Sequence, residues 1–221
     1  MGRPSAGYRN AAGNKIPSVT TIIGRFKDSG ALLWWAYGQG QAAQRGEINS
    51  LYDKRDEAAD AGTLAHQMVE EFLKGRPGPD LADVNPDTVT LAKQSFKNFR
   101  SWWEQTKIEI VHQETPLVSE KFQFGGTPDA VGRQGKTLIL LDWKTSKGVY
   151  VDYLIQVAAY VEMWNENHPD EKIKGGAHLC RFSKDTGDFS HHYFKDLKGP
   201  WKAFRLMREL YELDKQLKKR V

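Results

Sequence analysis

The sequence predicts an α/β (α+β) domain in which a mixed central β-sheet is flanked by helices and preceded by a helical N-terminal half. Three observations carry this. Between residues 16 and 107 the apolar residues recur at helical spacing, as with Leu64, Met68 and Phe72. From 108 to 195, short apolar runs alternate with turn signals such as Gln134-Gly135 and Lys184-Asp-Thr-Gly-Asp188, which is the pattern of strands. Pro200 then opens a last helix over 199–220, with Phe204, Met207, Leu210, Tyr211 and Leu217 as its expected buried line.

In order along the chain, residues 1–15 are rich in Gly, Pro, Ser and Asn and lack an apolar period, so they read as a flexible arm. A single domain over 16–221 follows, because 221 residues make one well-packed unit and would cramp two. Ser18 or Thr20 can cap a short helix reaching Lys27. From Gly30 a helical segment passes through Trp34 and Trp35 towards Arg45. Adjacent tryptophans on a helix point in different directions, so core packing competes there with stacking against bases. The helix over 55–74 stops at Gly75, and Pro77 prevents its return. After a surface loop, Asn85 or Asp87 starts a helix through Val89, Phe96, Phe99 and Trp102 or Trp103 to Lys107, whose apolar stripe suits the face of a sheet. Ile108 to Val118 reads as a strand with a bend or bulge. The strand Thr137 to Leu141 ends in Asp142-Trp143-Lys144, a helix covers Asp152 to Asn165, and two further strands cover Ile173 to Phe182 and Phe189 to Phe194.

Composition narrows the function classes. With 39% hydrophobic and 27% charged residues the chain is of the soluble globular kind, and no apolar run approaches a membrane span. The N-terminus lacks a signal-peptide core, so secretion is not expected. Cys180 is the single cysteine, which excludes an intrachain disulfide and a four-cysteine iron–sulfur cluster. The net charge of +4, from 32 basic and 28 acidic residues, mildly favours a polyanionic partner. The Lys215 to Arg220 tail is the densest basic run, and it suits either such a partner or the negative end of a helix.

The chemistry concentrates between Gly125 and Tyr160. Side chains alternate on a strand, so Asp142 and Lys144 face one side and Trp143 the other. Asp129 is expected near the middle of the preceding strand, and antiparallel pairing through the short turn brings its carboxylate towards that of Asp142. Two carboxylates held close repel each other unless a cation lies between them, and such oxygen ligands suit a hard divalent ion. Gln156 and Tyr160 lie one turn apart on one helix face, as do His66 and Glu70. Singly, each has a plainer explanation: a solvated ion pair at a strand end, a structural histidine, or a polar helix surface.

As a set, Gly126-x-x-Asp129, Asp142-x-Lys144-Thr145 and Gln156-x-x-x-Tyr160 resemble the active-site core of the PD-(D/E)XK nuclease superfamily in its RecB-like exonuclease branch. The string Asp142-Trp-Lys-Thr-Ser146 is most similar to that of the mitochondrial genome maintenance exonuclease and its phage relatives. The resemblance implies a restriction-endonuclease-like fold and the residue roles that follow. Asp129, Asp142 and the backbone carbonyl of Trp143 would ligate Mg²⁺ or Mn²⁺. His66 would add a contact from the segment Gly62-x-x-x-His66-x-x-x-Glu70, and Glu114 is the matching upstream acid. Lys144 would be the catalytic lysine, and Gln156 and Tyr160 would complete the site. It implies too that the helix at Ser18 can touch DNA phosphates. The expected activity is exonucleolytic hydrolysis of DNA with free ends, single- or double-stranded. The expected setting is replication, recombination or end processing with a protein partner, of phage or phage-derived origin, in the cytoplasm of a bacterial or infected cell. A structure- or sequence-specific endonuclease on the same fold and a non-catalytic DNA-end-binding protein are the rival expectations.

Overall fold

The structure, a computed structural model, describes residues 4–27, 30–47, 53–183 and 186–220. The side chains of 31–35 and 53–60 lie outside the description, so Trp34 and Trp35, like Lys184 and Asp185, are outside the described residues.

The segment expected to be a flexible arm is an ordered hairpin over its described part. Strand β1 (Tyr8–Arg9) pairs antiparallel with β2 (Lys15–Ile16). Asn10 closes the turn by accepting from Asn14 N–H at 2.8 Å, and Asn10 Nδ2 also donates to Gln123 Oε1 at 2.7 Å. Turn residues and arm residues are the same residue types, so composition alone misled. The hairpin is fastened where Tyr8 Oη meets Thr127 Oγ1 at 2.8 Å. It can lie that close because Gly125 has no side chain: a Cβ there would overlap the Tyr8 ring.

Helix α1 (Val19–Arg25) is capped by Ser18, which accepts from Thr21 N–H at 3.0 Å and so settles the choice between Ser18 and Thr20. Helices α2 (Gly30–Gln44), α3 (Asp53–Leu73) and α4 (Pro86–Thr106) follow near their expected spans, α4 with Asn85 as its cap. The expected strand from Ile108 to Val118 is two strands in two sheets, β3 (Ile108–Gln113) and β4 (Leu117–Ser119). The chain breaks between them at Glu114, which is left-handed at φ 45°, and Pro116 carries no ladder donor. β4 pairs instead with β5 (Phe124–Gly126).

The central sheet has the order β3, β6 (Ala130–Gln134), β7 (Thr137–Thr145), β8 (Ile173–Phe182), β9 (Phe189–Phe194). Its pairs are antiparallel except β7 with β8, which run parallel because α5 (Val151–Asn167) forms the crossover between them. Apolar alternation on β7 splits the core in two. Leu138 and Leu140 pack with Val19 and Ile22 of α1, with Val157 and Trp164 of α5, and with Phe204 of α6 (Lys198–Leu217). Ile139, Leu141 and Trp143 pack on the other side with Val69 of α3 and Phe99 of α4. The α4 stripe therefore covers the sheet as expected, with Phe99 at 5.5 Å from Trp143, ring centre to ring centre.

Helix α6 departs from its predicted buried line. Phe204 is fully buried and Met207 and Tyr211 pack against the core, but Leu210 and Leu217 are each 49% exposed. The inward face runs 204, 207, 211 and then reaches Asp214, which accepts from Arg25 of α1 at 2.8 Å. Leu210 and Leu217 lie about a quarter-turn off that line.

Candidate active site

Strand β7 sets the geometry. Asp142 follows Leu138 and Leu140 onto the α5 side of the sheet, and Lys144 lies two residues on, so both project together while Trp143 enters the opposite core. The ammonium of Lys144 contacts Asp142 Oδ2 and lies 5.4 Å from the centre of the Tyr153 ring of α5. Both partners are sequestered, with side-chain exposures of 1% for Asp142 and 13% for Lys144.

Asp129 stands just before β6 and not near its middle as expected, because Pro128 cannot donate to the ladder. The register Ala130 to Leu141 then sets Asp129 opposite Asp142 where the ladder ends. Its Oδ2 takes over as acceptor, receiving the Trp143 N–H at 2.8 Å. The two-residue turn is Gly135-Lys136, one residue on from the expected Gln134-Gly135, and it brings two carboxylates together, one anchored to backbone and one buried.

Asp142 is the electrically anomalous member. Its contact with Lys144 lacks hydrogen-bond geometry, and among the described residues neither of its oxygens has a hydrogen-bond partner. Burial pushes its carboxyl up from 3.8 to about 6. Lys144 opposes the rise, the Asp129 charge adds to it, and His66 opposes it more weakly. A buried carboxylate ion-paired with Lys144 and set beside a second carboxylate offers oxygen donors of the kind that suit a hard divalent cation. Among the described residues no three His, Cys, Asp or Glu side chains form a metal-ligating cluster.

His66 reaches Asp142 from another element. Helix α3 crosses the end of β7 at Gly62, where a Cβ would overlap Thr145 Cγ2. Glycine lets the helix seat directly on the strand, and His66 is one turn further along the same helix, within electrostatic reach of Asp142. On α5, Gln156 Nε2 donates to Tyr160 Oη at 2.9 Å, with both side chains buried.

Glu114 is held differently. Its backbone N–H donates to Asp129 O at 3.0 Å, which places it beside the acidic pair, but its carboxylate accepts from Lys74 at 3.0 Å. Lys74 also contacts Glu70. Burial lowers the Lys74 pKa, yet the bonds to Glu70 and Glu114 outweigh it and the net shift is upward. Glu70 and Glu114 are thus joined by a lysine clamp. Sequence reasoning missed Lys74, although its i,i+4 spacing from Glu70 signals half of the clamp. It also missed Tyr153 under Lys144 and Thr145 against Gly62, contacts that no local spacing encodes.

The described residues contain no helix long and apolar enough to cross a membrane. The sequence model of the PD-(D/E)XK nuclease superfamily matches residues 33–219, from α2 through α6, a span that includes His66, Asp129, Asp142, Lys144, Gln156 and Tyr160. No curated protein matches the chain. Among solved structures, a candidate exonuclease from Eubacterium rectale is similar at 14% identity and a TM-score of 0.47, over 66% of this chain and 64% of that one. The chain thus spans just under two thirds of that protein. SSO0001 is similar at 13% identity and a TM-score of 0.34, over 69% of this chain and 72% of that one. Since the family match takes in most of the chain and every element that builds the site, the chain belongs to the PD-(D/E)XK nuclease superfamily.

Proposed function

We propose that the chain is a metal-dependent exonuclease that hydrolyses phosphodiester bonds from the ends of DNA. The observation that carries the reading is Asp142: a buried carboxylate set opposite Asp129, ion-paired with Lys144 and without a hydrogen-bond partner among the described residues. Asp129, Asp142 and the Trp143 carbonyl would hold Mg²⁺ or Mn²⁺, with His66 as a further contact. When bound, such an ion polarises the scissile phosphate and acidifies a water.

The chain's own residues do the rest. Lys144 has three N–H donors, of which Asp142 occupies one side, leaving the others for the attacking water or a phosphate oxygen. Gln156 spends one amide N–H on Tyr160, so its second N–H and its carbonyl remain to orient water or phosphate. Tyr153 and the sheet exclude bulk water from the lysine, which strengthens its interaction with developing negative charge. Glu114, whose carboxylate is held by Lys74 and whose backbone N–H donates to Asp129 O, would be the upstream acid of the metal shell in this reading. The Asp142-Trp-Lys-Thr-Ser146 string supports a phage or phage-derived setting in replication, recombination or end processing in the cytoplasm.

The test is release of nucleotides from end-labelled linear DNA with Mg²⁺. Lys144→Ala and Asp142→Asn each abolish it while circular dichroism remains native. Undiminished degradation by both variants refutes the mechanism, and digestion of closed circular DNA by the unaltered chain replaces the exonuclease by an endonuclease.

A further inference from the structure

We propose that the groove bounded by the N-terminal hairpin, α1 and α6 is the track for a single DNA strand, gripped through its phosphates by Lys15, Lys215 and Lys219. This rests on the nuclease reading above and adds where the uncleaved strand lies. A cleft of about 610 Å³ separates Tyr8 and Lys15 of the hairpin from Tyr211 and Lys215 of α6, with Gly126 and Tyr160 in its lining. A second cleft, of about 550 Å³, shares Thr21, Tyr211 and Lys215 with the first and continues along α6 over Arg25, Lys218 and Lys219. Together they make one groove that begins at Tyr160, the partner of Gln156, and runs out along the last helix.

Charge selects the occupant. Asp214 is the acidic residue of this lining, and it is already paired with Arg25 at 2.8 Å and Lys218 at 3.0 Å. Lys15, Lys215 and Lys219 are exposed and have no carboxylate partner among the described residues. Over the whole chain 32 basic residues stand against 28 acidic ones, so the excess of lysine in this lining is a matter of placement and not of composition. Cations at the end of α6 would arise from its macrodipole alone, but Lys15 belongs to the hairpin and faces the same cleft from the other wall. Lysines on two walls of a groove that is also lined by Tyr8 and Tyr211 suit a flexible polyphosphate strand.

Binding of a fluorescein-labelled 20-mer of thymidine nucleotides, read by anisotropy with Ca²⁺ in the Lys144→Ala background, tests this apart from catalysis. Lys215→Gln/Lys219→Gln weakens binding on the order of tenfold or more at low salt and lowers the slope of log affinity against log salt by about 1.4, two phosphate contacts at roughly 0.7 each. Lys15→Gln lowers the slope by about 0.7 from the opposite wall. Lys136→Gln/Lys174→Gln removes the same charge at the far end of β7 and leaves the slope unchanged. The proposal is overturned if groove and distant variants behave alike, if the groove variants match the parent, if the parent does not bind, or if a duplex binds more tightly through the same lysines. An enzyme inert on DNA but with lysine-dependent binding would refute the hydrolytic reading and keep the track; an active enzyme indifferent to these lysines would do the reverse.

Discussion

Asp142→Asn should stabilise the metal-free protein while destroying its activity. In the folded chain Asp142 is fully buried and its carboxyl is raised from 3.8 to about 6, burial being the largest cause. At 1.36 kcal/mol per pKa unit, its ionised form costs about 3 kcal/mol relative to the protonated one, even with Lys144 beside it. The sign follows from the folded pKa being the higher. Below pH 3.8 the group is protonated in both folded and unfolded chains and nothing is lost. As pH rises towards and past 6, the unfolded chain ionises freely and the folded chain does so at a cost, so native stability falls by that amount. Asparagine keeps the shape without the charge. In EDTA at pH 8 the variant should therefore melt about 6–12 °C above the parent, and the gap should close towards pH 4. Added Mg²⁺ should narrow it at pH 8 by stabilising the parent alone. Thermal melts at pH 4.5, 6 and 8, with and without Mg²⁺, measure all of this. A variant no more stable than the parent in EDTA at pH 8, or one equally stabilised at both pH extremes, would refute the reasoning.

Two other perturbations probe how the site is held. Gly62→Ala should lift α3 off Thr145, costing about 1–3 kcal/mol in chemical denaturation and much of the activity by withdrawing His66. Thr145→Ser should partly restore both in the double variant, since it deletes the methyl nearest the new Cβ. Tyr160→Phe removes the acceptor of Gln156 Nε2 and leaves a buried amide unsatisfied, for a loss of about 1–3 kcal/mol in the same measurement. Replacing Gln156 by Leu as well should recover part of that loss if the pair is coupled as described.

The parts of this structure legible in the sequence are those whose physics is local. Strands β8 and β9 coincide with their expected spans because alternation bounded by turn residues is a short-range signal. The shared side of Asp142 and Lys144 follows from strand geometry, and their closeness to Asp129 from a two-residue turn. His66 is different. Nothing in the period of α3 says which strand its face will meet, and the family resemblance alone pointed to it; in the structure the reason is Gly62 against Thr145. Leu210 and Leu217 were expected to be buried because apolar spacing fixes a helix stripe only to within a residue, whereas the packing of Phe204, Met207 and Tyr211 on the core orients α6 in the structure. The hairpin at residues 8–16 was hidden for the converse reason: its fastening to Thr127 and Gln123 is remote in sequence.

The crossover of α5 between parallel β7 and β8 has a consequence for assembly. Asp129, Asp142, Lys144, Gln156 and Tyr160 all come from one unbroken hairpin–helix segment, so the contacts among them close short loops at low entropic cost. The docking of α3 on Thr145 closes a far longer one and contributes a single histidine. Along the chain, then, the stretch from β6 to α5 carries the proposed site through contacts local in sequence, and α3 joins it at one long-range seat, Gly62 on Thr145.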